Sequence, residues 1–174
     1  MGTTTFTGAV RSENGFVVIS KDSTTGVITD TMTVDASGVQ VTPVSLADAD
    51  ATLTAAANGG RINLVADGTQ DNTYTLPAPA AGLHMTFVYA GGAADATGFT
   101  LNTGSDTNFF IGGLAFHDVG AGEGSVAFSD GNSNSKVFVD VPQSAEVHVL
   151  GLDATNWQIW GRVTGATVPA FADQ

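Results

Sequence analysis

The chain has 174 residues and carries 17 acidic against 5 basic side chains, a formal net charge of −12. Arg11, Lys21, Arg61, Lys136 and Arg162 stand far apart, so no basic cluster exists to neutralise phosphates and nucleic acid is not an expected partner. Cysteine is absent, which excludes disulfides and thiolate metal sites and leaves the redox compartment unread.

The length suits one domain with a full core, or one domain plus a short appendage. The opening Met1-Gly2-Thr3-Thr4-Thr5-Phe6 lacks a cationic region followed by an apolar stretch, and no apolar run approaches bilayer length. The expectation is a chain made in the cytoplasm with no membrane partner. Richness in Gly, Thr, Ala and Val, with few of the usual helix formers, favours strands and turns.

In chain order, apolar residues alternate first at Phe16, Val18 with Ile19, then Met32 and Val34, then Val39 and Val41. Period two marks one face of a strand, and Glu13-Asn14-Gly15, Thr25-Gly26 and Ala36-Ser37-Gly38 supply the turns. Residues 1–44 therefore read as a β-hairpin arm, too thin for its own core and suited to lie along a partner. Residues 45–57 are the best helical stretch, with Ser45 as a possible cap, but Thr52, Thr54 and the stop at Asn58-Gly59-Gly60 limit it to one short turn.

Alternation resumes at Ile62 and Leu64, runs to the strand before Pro77 and Pro79, and continues through Met85, Phe87 and Tyr89. It returns at Val137, Val139 and Val141, at Val147 and Val149, and at Trp157, Ile159 and Gly161. Turn signals at Asp67-Gly68, Asp130-Gly131 and Asp153-Ala154-Thr155-Asn156 separate these bursts. With about a dozen strands at this spacing, the expected class is all-β: a jelly-roll-like sandwich or barrel over 45–165, preceded by the arm and followed by an extended tail over 166–174.

The residue types that carry chemistry are thinly spread. His84, His117 and His148 lie in different strands without the i, i+4 spacing of a zinc site. They read as surface or satisfied core residues, with a three-histidine site on an oligomer axis as the sharper alternative. The segment from Asp130 to Lys136 sets oxygen side chains at alternate positions, but Ser135 stands where a calcium loop needs Gly and Val141 where it needs Glu. A polar turn explains it better. Most acids sit in turns; Glu123 and Glu146 are the exceptions, and nothing in the sequence pairs Glu146 with a second carboxylate. Gly91-Gly92, Gly112-Gly113 and Gly120-Ala121-Gly122 match no phosphate or dinucleotide loop. No catalytic residue, cofactor or metal is expected, and the chain reads as a non-enzyme.

Trp157 and Trp160, three apart on a strand, face opposite sides. One anchors the core, and the other meets solvent, a neighbouring subunit or a sugar; with Phe109-Phe110, Phe116 and Phe171 also available, subunit packing is the more economical assignment.

Several segments carry a resemblance. Residues 5–16, Thr-Phe-Thr-Gly-Ala-Val-Arg-Ser-Glu-Asn-Gly-Phe, are similar to a G-P-V-R-S-x-N-G-F opening, with Ala9 in place of the Pro. Residues 74–83, 129–136, the Thr155-Asn156-Trp157 strand entry and the closing Ala170-Phe171-Ala172-Asp173-Gln174 fit the same pattern. The chain thereby resembles structural proteins of short-tailed, marine-type bacteriophages that decorate or cement capsids or form head fibres. The resemblance implies a virion protein on the outer capsid surface, made in the host cytoplasm, with the major capsid protein and further copies of itself, as a homotrimer, for partners. Phe6, Arg11, Phe16, Trp160, Val168 and Phe171 are the candidate contacts. With no heptads and no shaft repeats, capsid decoration is favoured over a tail or head fibre module that binds host-surface carbohydrate.

Overall fold

Short β-branched and aromatic runs broken by glycine turns form fifteen strands and one helical turn among the residues that the computed structural model describes, 15–35, 38–92 and 97–174. Phe6, Arg11 and most of the opening motif lie outside them. The chain divides into two units, Met1–Thr42 and Pro43–Gln174.

In the first unit, β1 (Phe16–Lys21), β2 (Ile28–Asp35) and β3 (Gly38–Val41) form an antiparallel sheet in the order β1-β2-β3. The β1–β2 turn is held by Asp22, whose carboxylate accepts the amides of Thr24 and Thr25 at 2.8 and 2.6 Å. Pairing sets Phe16, Val34 and Val39 in one row across the three strands, and Val18, Met32 and Val41 in another. Residues opposite one another across a ladder share a face, so one face of this sheet is entirely apolar along two rows.

The second unit is a β-sandwich. Its strands are β4 (Val44–Ser45), β5 (Ala51–Thr52), β6 (Ile62–Val65), β7 (Asn72–Thr75), β8 (His84–Tyr89) and β9 (Phe99–Asn102), then β10 (Phe109–Asp118), β11 (Gly124–Phe128), β12 (Lys136–Val139), β13 (Pro142–Gly151), β14 (Asn156–Gly165) and β15 (Ala170–Ala172). A seven-stranded sheet, β11-β10-β14-β13-β8-β6-β4, faces a five-stranded one, β15-β12-β9-β7-β5. Phe87, Val147, Trp157 and Ile159 of the first meet Tyr74, Phe99, Leu101 and Val137 of the second in one buried cluster.

From β4 to β9 the chain steps alternately between the sheets, and each strand pairs in parallel with the one two steps earlier. This half of the sandwich is thus three turns of a two-sheet coil, whereas a jelly roll is antiparallel. The second half is mainly antiparallel, although β10 runs parallel beside β14.

The helical turn α1 (Ala55–Asn58) is capped by Thr54, whose hydroxyl accepts the Ala57 amide at 3.1 Å; the Ser45 suggested as a cap lies in β4 instead. Asn58 and Asn63 are buried together: Asn58 Nδ2 donates to Asn63 Oδ1 at 2.7 Å, and Asn63 Nδ2 reaches the Thr86 carbonyl at 3.3 Å. Their amides satisfy backbone groups where α1 turns into β6.

The tail does not hang free. Residues Ala170–Ala172 pair with β12, and Phe171 packs edge-on against Phe110 with ring centroids 6.3 Å apart. Phe171 therefore serves the chain's own core, while Val168 remains exposed.

Candidate functional site

Residues of β8, β13 and β14 alternate between the core and the outer face of the seven-stranded sheet. Met85, Phe87, Val147, Val149, Trp157 and Ile159 point inward, which turns His84, Thr86, Glu146, His148, Gln158, Trp160 and Arg162 outward. Register then gathers the outward set: His148 pairs with Trp160 on one side and Thr86 on the other, and Glu146 pairs with Arg162.

The rings of His148 and Trp160 are nearly parallel, 11° apart with centroids at 5.2 Å. His84 joins them, 6.1 Å from His148 and 6.4 Å from Trp160. Beneath lies Thr86, whose Oγ1 is 3.3 Å from His84 Nε2 and 3.1 Å from His148 Nδ1. His148 Nε2 is 3.2 Å from Glu146 Oε1, and Arg162 donates to Glu146 Oε2 at 3.2 Å. One proton arrangement satisfies every link: His84 Nε2–H donates to the Thr86 oxygen, its hydroxyl to His148 Nδ1, and His148 Nε2–H to Glu146. Burial, and next the proximity of His148, lowers the His84 pKa below the usual imidazole range.

Hydroxyl, imidazole and carboxylate in series have the composition of a nucleophilic triad. Thr86, however, is only 8% exposed, and its amide donates to the Arg61 carbonyl at 3.2 Å. Its hydroxyl is positioned to orient the two rings above it. The series also gives Glu146 two polar partners, a link that sequence spacing does not reveal.

The other candidates resolve as local structure. Asp130 accepts the amides of Asn132, Ser133 and Asn134 at 3.1, 2.9 and 3.1 Å, and the Ser133 hydroxyl on its second oxygen. That carboxylate is spent on the turn. Among the described residues no three His, Asp or Glu side chains gather as metal ligands. His117 is exposed on β10, so two of the three histidines meet and the third does not. Trp157 is fully buried and Trp160 is 40% exposed.

The turn that starts β14, and so sets where Trp160 falls, hangs on Asp153. Its carboxylate accepts the Thr155 amide at 2.7 Å, the Asn156 amide at 2.8 Å and Asn156 Nδ2 at 2.9 Å. These bonds, the Asn156 side chain foremost, hold its pKa down at about 2. A depressed carboxylate pKa means stability that is complete above the ordinary value of 3.8 and lost as pH falls through about 2. Wild type is therefore expected to exceed Asp153→Asn in urea midpoint near neutrality, with the gap closing on acidification through this window. An equal gap at every pH would detach the turn from this carboxylate.

Compared with known family models and with curated proteins, the chain finds no match.

Proposed function

We propose that the protein is a virion structural protein, a capsid decoration protein that docks on the outer capsid lattice through its N-terminal unit and, as a homotrimer, reinforces contacts between capsomers. The observation that carries this reading is the three-stranded sheet β1-β2-β3. Its apolar face holds Phe16, Val18 and Val39, all exposed, and among the described residues the buried core begins at Leu46. A small three-stranded sheet with an exposed apolar face is marginal alone and gains stability by covering that face with a partner. The net charge of −12 suits an exterior position, away from packaged nucleic acid.

The test is sedimentation with undecorated capsids. Wild type should bind, and Val39→Asp, which sets a charge on the apolar face, should weaken binding on the order of tenfold or more. Gln40→Asp, exposed on the opposite face of the same strand, should bind like wild type. No binding by wild type, or equal binding by both variants, would remove the reading.

A further inference from the structure

We infer that the outer face of the seven-stranded sheet is a platform for a neutral oligosaccharide, centred on Trp160, a binding site separate from the N-terminal sheet. The indole is held in place before any ligand arrives, because His148 lies parallel to it at 5.2 Å. Three rings piled in a column at contact distance would put the outer pair about 7 Å apart or more. The widest separation here is 6.4 Å, so at least two of the three rings lie side by side and broaden the aromatic surface.

The surface continues beyond Trp160. Its register neighbour on β10 is Gly113, and beyond that Phe128, 72% exposed. A Cβ at Gly113 would lie 3.0 Å from Phe128 Cδ1, so the Phe128 ring leans over the glycine. Register thus sets Trp160, Gly113 and Phe128 in one row on the outer face across three strands, a span of about 10 Å at the usual strand spacing, longer than one sugar ring covers, which favours an oligomer.

Along β14 the indole is bracketed on its own face by Gln158 and Arg162. Arg162 is 75% exposed and spends one guanidinium nitrogen on Glu146, itself 40% exposed. An amide, a guanidinium and a carboxylate around a flat apolar plate offer donors and acceptors together. A pyranose ring has the complementary form, an apolar C–H face edged by hydroxyls that both donate and accept. Phosphate-bearing ligands are disfavoured by Glu146 and by the net charge of −12. A broad protein partner would bury the Glu146–Arg162 pair at a desolvation cost, whereas sugar hydroxyls replace its water.

The test uses the full chain on an immobilised panel of neutral hexose and N-acetylhexosamine tetra- to hexasaccharides. The expected result is binding to at least one glycan, with Trp160→Ala and Arg162→Ala each weakening it tenfold or more while their urea midpoints stay near wild type. Val39→Asp, which probes the capsid reading, should bind glycan normally. Because Trp157 is buried, intrinsic fluorescence should respond through Trp160 on titration with the bound glycan. Absence of binding across the panel, or full binding by Trp160→Ala, would overturn the inference. So would a wild-type oligomer that Trp160→Ala converts to monomers, since that would seat a second copy on this face.

Discussion

Trp157→Ala is expected to lower the unfolding free energy by about 3–5 kcal/mol, read as a fall in urea midpoint at unchanged slope. Trp157 is the largest fully buried side chain and sits near the start of β14, between its register partners Phe110 on β10 and Gly151 on β13. Its surroundings cannot collapse easily into the gap. A Cβ at Gly151 would already lie 2.1 Å from the Ala80 carbonyl oxygen, so backbone is packed against backbone on that side. For a domain stable by about 5–15 kcal/mol, such a loss is a large fraction of the whole. Trp157→Phe should cost much less, about 1–2 kcal/mol, because it keeps an aromatic ring and removes an indole N–H that meets no protein acceptor among the described residues. A cost under about 1 kcal/mol for the alanine variant would contradict a rigid core at this point.

How far the sequence reaches is clear from neighbouring strands. In β8, β13 and β14 the alternation assigns both strand and face correctly, because large apolar residues, Met85, Phe87 and Tyr89, Val147 and Val149, and Trp157 and Ile159, fill successive inward positions at the centre of each strand. In β6 it finds the strand and inverts the face. Ile62 and Leu64 look like the core pair, yet Asn63 and Val65 are the buried ones. The inversion has a local cause: Asn63 is drawn inward by its bonds to Asn58 and to the Thr86 carbonyl. Such a demand belongs to the tertiary fold and leaves no periodic trace.

Pairing partners were not legible either, since period two says which way a side chain points and nothing of which strand lies beside it. The parallel coil of β4 to β9 is the result. The outer-face site suffers the same limit: Thr86 and His148 bond across 62 residues of chain. One signal was present. His84 and Thr86, Glu146 and His148, and Gln158, Trp160 and Arg162 are three sets at period two, each out of phase with a core set. Polar and aromatic residues sharing a solvent face on three strands mark a surface to inspect once the strands are known to be neighbours.

Gly161→Val is expected to strike the core and this outer face together. Gly161 has φ +148, a conformation that side chains rarely adopt, and a Cβ there would lie 2.1 Å from the Glu146 carbonyl oxygen and 2.9 Å from Val147 Cα. The obstruction is backbone on β13, which cannot rotate aside as a side chain would. Combining the φ strain with the cost of overpacking gives a destabilisation of about 2–5 kcal/mol. Trp160 and Arg162 flank the glycine on the outer face, and β13 carries their partners His148 and Glu146. Any shift of β13 that admits the new side chain must also separate these pairs. Gly161→Val should therefore lose glycan binding even under conditions where circular dichroism shows it folded, whereas Trp157→Phe, altered only on the inner face, should retain it. Retained binding by a folded Gly161→Val protein would mean that the platform does not depend on the close approach of β13 and β14.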